Sequence, residues 1–136
     1  LTSDQKKLKQ GVDGIFVADL PGSRMNDAIY QVLTKDFAGV KGRKAIIVLT
    51  DGYIGGKIPY ADVLNELKES DALVYPIFYQ IKRLFPREVK TVSYTDLIKV
   101  YPVSLLNTLA AMTGGRIYAA EGSDFRTAFQ NIAEDL

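Results

Sequence analysis

The strongest constraint on the fold is an apolar run that ends on a hydroxyl, a carboxylate and a glycine. The run covers Lys44–Thr50, and Asp51 and Gly52 follow it directly. A nearly continuous apolar run of this length is typical of a strand buried on both faces, as in the middle of a parallel sheet. In open α/β sheets, ligands bind beyond the carboxyl ends of the strands. Asp51 is therefore the first candidate site residue.

Helical and strand patterns alternate along the chain. Strands that alternate with helices indicate βαβ units, so we predict a Rossmann-like α/β fold with a parallel sheet flanked by helices. The predicted strands are Lys44–Thr50, Ala72–Tyr79 and 116–120. The predicted helices carry Leu8, Val12 and Ile15; Met25, Ala28, Ile29, Val32, Leu33 and Phe37; Val63, Leu64 and Leu67; Leu105, Leu106, Leu109 and Met112; and Phe125, Ala128, Phe129 and Ile132.

An irregular, locally basic segment interrupts this alternation at residues 80–102. It contains Lys82, Arg83, Arg87 and Lys90 beside Leu84, Phe85 and Tyr94. Basic stretches with aromatic residues can bind single-stranded nucleic acid, but four charges without wider basicity favour a solvated loop. We interpret the segment as an insertion in a single domain, 1–136, and a protein contact as its better functional prediction.

Composition excludes several classes of function. Lys plus Arg total 17 and Asp plus Glu total 16, so a net charge of +1 gives no electrostatic case for nucleic acid or an anionic membrane. No apolar run approaches the roughly 18 residues of a membrane span. The sequence has no Cys and no His, which excludes thiolate metal sites and histidine catalysis. Oxygen ligands remain, and these suit Mg²⁺, Ca²⁺ or Mn²⁺.

Four short motifs, taken in order, resemble a known family. They are Gly22-Ser23 before a helix with Asp27-Ala28-Ile29, a strand that ends Thr50-Asp51-Gly52, the strand segment Val74-Tyr75-Pro76-Ile77, and Leu109-Ala110-Ala111-Met112-Thr113-Gly114-Gly115-Arg116. Together they resemble the C-terminal two-thirds of a von Willebrand factor type A domain of the kind common in bacteria. The resemblance covers most of the chain.

The resemblance implies a metal-ion-dependent adhesion site at the top of the sheet. In that family three loops build the site, and Ser23 and Asp51 occupy the positions of its Thr and Asp ligands, with Thr50 and Asp27 as supporting residues. The third element, an Asp-x-Ser-x-Ser motif, is missing from these 136 residues. Mg²⁺ takes six oxygens, so one hydroxyl and one carboxylate make an incomplete site. We expect Mg²⁺ or another divalent cation only if the missing loop is supplied from elsewhere, and otherwise no cofactor.

The family's first strand, which would lie beside Lys44–Thr50, is also missing. Without it, the strand exposes backbone groups that can pair with another chain. One expectation is a fragment of a longer protein whose N-terminal strands precede Leu1, and this is the favoured one. The alternative is pairing of strand 44–50 with another chain, for example a second copy in a homo-oligomer.

Each candidate residue also has a purely structural interpretation. Ser23 is suited to cap the helix that follows it. Asp51 and Gly52 can be a simple turn after a strand. The hydroxyl of Thr50 is expected to find a partner at the strand end, and Asp27 is expected to be solvated or bonded to backbone.

The resemblance implies a protein-binding or adhesion module that is not an enzyme. Its partner is then a protein, with no nucleic acid and no membrane insertion, and exported bacterial relatives imply an extracytoplasmic location. Two alternatives stay open. One is a Mg²⁺-dependent hydrolase or phosphotransferase that uses Asp51 and has Lys57 and Asp62 within reach. The other is a metal-free assembly scaffold.

Overall fold

The protein has a parallel sheet with helices on both faces. The computed structural model describes residues 3–14, 23–52, 55–79, 101–120 and 125–136. The elements are α1 Gln5–Asp13, α2 Met25–Gln31, β1 Lys44–Thr50, α3 Tyr60–Glu69, β2 Ala72–Tyr79, α4 Tyr101–Thr113, β3 Tyr118–Ala120 and α5 Arg126–Asp135. Val32–Asp36 continues α2 as a π-helical segment. Across these ranges, no helix is long and apolar enough to cross a membrane.

The strand order in the described sheet is β1-β2-β3, and both pairs are parallel. The β1–β2 register runs from Lys44 opposite Ala72 to Thr50 opposite Phe78. The prediction of an α/β fold with a helix-flanked parallel sheet is therefore confirmed, and β1 and β2 have the predicted bounds. Within the described sheet β1 is an edge strand, whereas the absence of further N-terminal strands stays a prediction.

The two faces of the sheet carry separate clusters of buried side chains, because successive strand residues point to opposite faces. On one face, Val74 and Phe78 of β2 pack with α2, α3 and α4. On the other, Tyr75 and Ile77 pack with Ala120 of β3 and with α5. The second face is less covered over β1, where Ile47 is 37% and Leu49 is 49% exposed.

Pro76 lies inside β2 without breaking the pairing with β1. The N–H of Val74 donates to Thr113 Oγ1 at 2.9 Å, so it is directed away from β1. Residues two apart in a strand direct their N–H groups to the same edge, so the donor that Pro76 lacks would also be directed away from β1. Pairing with β3 begins only at Ile77. The proline therefore removes no hydrogen bond from the β1–β2 ladder.

The turn after α4 brings backbone against backbone. Gly114 has φ +79°, a left-handed conformation that favours glycine after a helix. A Cβ on Gly115 would lie 2.1 Å from the carbonyl oxygen of Val74. Gly115 is therefore required at this position, because any side chain would push α4 away from β2.

Several details of the predicted helices are wrong. The N-cap of α2 is Arg24, and no side chain caps the helix, so Ser23 does not have the capping role. Ala28 is exposed, contrary to its predicted place in the apolar stripe. The hydroxyl of Thr34 donates to the carbonyl oxygen of Tyr30 at 2.8 Å, a side-chain bond that accompanies bending of helices and here adjoins the π-helical segment.

The later elements differ from the prediction by small shifts. Helix α4 begins at Tyr101, so residues 101 and 102 belong to it and not to the insertion. Met112 and Phe129 are 39% and 42% exposed, because each lies beside the buried stripe of its helix. Strand β3 covers only Tyr118–Ala120 of the predicted 116–120. The insertion at 80–100 and Ile15 lie outside the described residues.

Helix α1 makes little contact with the sheet. The Oδ1 atom of Asp4 caps it by accepting hydrogen bonds from the N–H groups of Lys6 at 2.9 Å and Lys7 at 3.3 Å. No residue of the helix is buried, and its apolar residues Leu8 and Val12 are 51% and 66% exposed. The helix therefore has a local cap at its start but does not join the core.

Candidate functional site

The carboxyl end of β1 is shaped by a turn at Thr50. The side chain of Thr50 is buried, and its Oγ1 accepts a hydrogen bond from the N–H of Gly52 at 3.0 Å. Gly52 has φ +95°, which closes the turn. Asp51 lies between them and is exposed. The interpretation of Thr50 as a hydroxyl with its own partner is confirmed, whereas its supporting role at a metal site stays a prediction.

Asp27, in the first turn of α2, binds two separate groups with its two carboxylate oxygens. Oδ1 accepts the N–H of Ile58 at 2.7 Å. Oδ2 accepts a hydrogen bond from the Nε–H of Arg24 at 2.7 Å and lies 2.6 Å from Nη2 of the same guanidinium. The side chain of Arg24 is 64% exposed, so water screens this ion pair and it adds little stability. The prediction of a backbone-bonded carboxylate is confirmed.

Asn26 binds the same loop from the neighbouring position. Its backbone N–H donates to the carbonyl oxygen of Gly55 at 2.9 Å, and Nδ2 donates to the carbonyl oxygen of Ile58 at 3.0 Å. The residue is buried, with 6% of its surface exposed. We call the contacts of Asn26 and Asp27 with residues 55–58 the loop clamp. It joins the chain that follows β1 to the beginning of α2.

Gly56 lies where the loop clamp is tightest. Its φ of +149° is a conformation that side chains rarely adopt. A Cβ at this position would lie 2.6 Å from Asp27 Oδ1 and 3.1 Å from Asn26 Cβ. Gly56 therefore permits the close approach of loop and helix.

The hydrogen bond from the N–H of Ile58 lowers the pKa of Asp27 below its ordinary value of 3.8. Desolvation acts in the opposite direction, and Arg24 and the backbone of Lys57 add to the lowering of the pKa. Asp27 is therefore a carboxylate at neutral pH and accepts hydrogen bonds with both oxygens.

One polar atom of the loop clamp has no partner. Oδ1 of Asn26 is buried and receives no hydrogen bond. Leaving a buried acceptor unsatisfied typically costs about 1–3 kcal/mol, so such atoms call for an explanation. The amide oxygen of Asn26 is thus an unused acceptor in the contact between α2 and residues 55–58.

The loop clamp brings together the two chain segments that carry Ser23 and Asp51. Ser23 is half-buried and precedes Asn26 by three residues, and Asp51 precedes Gly55 by four. Both are hard oxygen donors, so they fit part of the ligand set of Mg²⁺, Ca²⁺ or Mn²⁺. Within the described ranges, no group of three or more acidic side chains is placed to hold a metal ion. The two donors would need further ligands.

Sequence reasoning did not find Asn26 or the close contact of Gly56. The hydrogen bonds that join Asn26 and Asp27 to Ile58 link positions 32 and 31 residues apart, and Gly56 lies within the loop that they hold. Local patterns identify the helix and the glycine turn but not the fact that they meet. An Asn-Asp pair at a helix start together with a Gly-Gly pair after a strand is the signal that the sequence offered.

No protein-family model matches the chain, and a comparison with curated proteins finds no match. Among solved structures, the chain is similar to an uncharacterized membrane spanning protein from Vibrio fischeri. The identity is 24% and the TM-score 0.48, over 98% of this chain and 67% of that one. The similarity concerns the fold and carries no functional argument.

Proposed function

We propose that this chain is part of a protein-binding module of the von Willebrand factor A type, in which Ser23 and Asp51 provide two ligands of a metal-ion-dependent adhesion site. The loop clamp is the observation that supports this proposal. It ties the loop after β1 to the start of α2 through both Asn26 and Asp27. The Asp51 carboxylate follows a parallel strand at its carboxyl end, where α/β proteins bind ligands, and the loop clamp joins the chain beyond it to the helix that begins just after Ser23.

Two oxygens are too few for a tight site. The remaining ligands would come from water and from a segment outside these 136 residues, on the pattern of the family's Asp-x-Ser-x-Ser loop. A bound divalent cation supplies positive charge that an acidic side chain of a protein partner can contact. In this proposal the exposed carboxylate of Asp51 is a ligand of the metal ion. The function is binding and not catalysis, because no covalent bond is broken.

Paramagnetic line broadening by Mn²⁺ tests the proposal directly on this chain. In amide spectra of the labelled protein, we expect Mn²⁺ to broaden the signals of Ser23 and Asp51 first, with affinity on the order of millimolar. Asp51→Asn and Ser23→Ala should each weaken the effect. Asp36→Asn is the matched control, because Asp36 is an exposed carboxylate at the last position of the π-helical segment that continues α2.

Broadening that starts elsewhere on the protein, or that persists unchanged in Asp51→Asn, would contradict the metal site. A protein partner whose binding is unaffected by removal of divalent cations would contradict metal-bridged adhesion.

One observation favours a second candidate, the metal-free assembly scaffold. Strand β1 is an edge of the described sheet, and Ile47 and Leu49 on one of its faces are partly exposed. Such an edge is a template for strand pairing. If assembly through β1 is the function, light scattering should show a concentration-dependent oligomer that Leu49→Lys disrupts. A monomer at all concentrations would exclude a homo-oligomer through this strand.

A further inference from the structure

We propose that the edge which β1 forms in the described sheet is complementary to itself, so that two copies of this chain pair their β1 strands antiparallel about a two-fold axis at Ile47. The two sheets then form one continuous sheet. This inference rests on the second candidate function, assembly through β1, and involves no metal ion. It deepens that function by naming the partner, the direction of pairing and the register.

The direction of the backbone groups of β1 follows from its pairing with β2. The N–H of Val74 is directed away from β1, so the N–H and C=O groups of Tyr75 are directed toward it. In a parallel ladder such a residue bonds to the two neighbours of its register partner, and the partner of Tyr75 is Ile47. The neighbours of Ile47 therefore face β2, and Ile47 itself faces the outer edge. Alternation gives the same outward direction to Ala45 and Leu49.

One symmetric register matches this edge over the full strand. In an antiparallel pair, residues whose backbone groups face the partner strand lie opposite each other and exchange two hydrogen bonds. With the two-fold axis at Ile47, this residue lies opposite Ile47 of the second copy, and Ala45 lies opposite Leu49. Lys44 then lies opposite Thr50, so the whole of β1 is paired. Each outward N–H and C=O group of the strand gains a partner.

The side chains of β1 favour this pairing. Residues 45–49 are all apolar, without the charges or prolines that prevent pairing at many edge strands. Ile47 and Leu49 are 37% and 49% exposed on the face of the sheet that carries α5. In this register Ile47 meets Ile47 and Leu49 meets Ala45, so apolar side chains lie beside apolar side chains across the interface.

The charges at the two ends of β1 are complementary in the same register. Arg43 precedes the strand, Asp51 follows it, and both are exposed. Antiparallel pairing sets Arg43 of each copy opposite Asp51 of the other, which adds an opposite-charge pair at each end. Nη1 of Arg43 also donates to the backbone oxygen of Leu136, which keeps the guanidinium near the end of α5. A parallel pairing in register would set like charges beside each other, so the charges favour the antiparallel direction.

Single cysteines test the register, because the sequence has no cysteine of its own. In Ile47→Cys the two thiols belong to a hydrogen-bonded pair with Cα atoms about 5.5 Å apart, which a disulfide can span. Leu49→Cys is the matched control, because Leu49 is more exposed but lies about 14 Å along the strand from Leu49 of the second copy. We expect mild oxidation to crosslink Ile47→Cys at least tenfold faster. A mixture of Ala45→Cys and Leu49→Cys should crosslink as a heterodimer.

Charge reversal tests the two ends of the interface. Asp51→Arg sets like charges opposite each other at both ends, so we expect the dissociation constant of the dimer to rise about tenfold at low salt. Analytical ultracentrifugation measures the change. Adding Arg43→Asp to Asp51→Arg restores opposite charges and should recover most of the affinity. Asp36→Arg is the control for net charge, because Asp36 is exposed and lies outside β1.

The outcomes separate this inference from the function on which it rests. A dimer in which Leu49→Cys crosslinks as fast as Ile47→Cys would overturn the register and leave assembly through β1 standing. A dimer that Asp51→Arg weakens no more than Asp36→Arg would overturn the charge pairing. A chain that stays monomeric at millimolar concentration would overturn both assembly and this inference. If Ile47→Cys does not fold, the mixture of Ala45→Cys and Leu49→Cys tests the same register.

Discussion

The loop clamp and the turn at Thr113 are similar contacts between a helix and a neighbouring backbone segment, but their polar atoms are not hydrogen-bonded to the same extent. In both, a side-chain oxygen accepts a distant backbone N–H, and a nearby glycine permits close approach. Thr113 Oγ1 also lies 3.1 and 3.0 Å from the carbonyl oxygens of Leu109 and Ala110, so its donor is used as well. The loop clamp instead contains an ionised carboxylate and an amide oxygen without a partner.

This difference teaches where to look for function. The turn at Thr113 is a neutral contact that stabilises the packing of α4 on β2. The loop clamp contains one acceptor, Asn26 Oδ1, that receives no hydrogen bond. Its first loop residue, Gly55, follows the exposed Asp51 by four positions. We therefore expect changes at the turn to alter stability alone and changes at the loop clamp to alter both stability and binding.

The largest effect is expected for Gly115→Ala. A Cβ would lie 2.1 Å from the Val74 carbonyl oxygen, which is backbone and cannot move without shifting β2. We expect a loss of about 3 kcal/mol in the free energy of unfolding, measured by urea denaturation. A loss below about 1 kcal/mol would show that the turn is not as tightly packed as described.

Gly56→Ala should have the next largest effect. The new Cβ would meet Asp27 Oδ1 at 2.6 Å in an unfavourable backbone conformation, but a side chain can yield more easily than a backbone. We expect a loss of about 2 kcal/mol, together with faster amide exchange at Ile58.

Gly11→Ala is the matched control for Gly56→Ala. A Cβ there would meet nothing within 4 Å, and Gly11 lies inside α1, so alanine should favour the helix by up to about 1 kcal/mol. Equal effects of the two substitutions would contradict the loop clamp.

Thr113→Val should cost about 1–2 kcal/mol, because the buried N–H of Val74 loses its acceptor while the shape of the side chain is kept. Denaturation measures the change, and amide exchange should locate it at Val74. Unchanged exchange at Ile58 would confirm that the two contacts are independent.

The smallest expected effect is the dependence of stability on pH. Because folding lowers the pKa of Asp27 below 3.8, its contribution to stability is fully present above that value. The contribution is lost as the pH falls from there through the folded-state pKa. Denaturation between pH 5 and about pH 2 should therefore show a steeper loss of stability in the wild type than in Asp27→Asn. Parallel curves would rule out this contribution.

The sequence predicts the strands better than the site. Strands β1 and β2 have the predicted bounds because each is an apolar run, one following glycines and the other a short polar stretch. The start of α2 was placed incorrectly because Ser23 has the chemistry of a cap but not its position. Met112 and Phe129 were assigned to the core because apolar periodicity does not say how far a buried stripe extends around a helix.

The site could be predicted only as separate residues. Asp51 was identified from its place after a strand, and Ser23 and Asp27 from the resemblance and the helix start. The joining of their loops depends on hydrogen bonds across 31 and 32 residues, which no local pattern contains. The ligands, the location and the N-terminal strands that the resemblance implies stay predictions.

Helix α1 has a practical consequence for handling the protein. Isolated helices shorter than about 12 residues are marginal in water, and this one has nine residues and none of them buried. It should open by itself long before the sheet unfolds. Lys6, Lys7 and Lys9 then become early trypsin sites, and brief digestion should remove the start of the chain while β1, β2 and α4 survive intact.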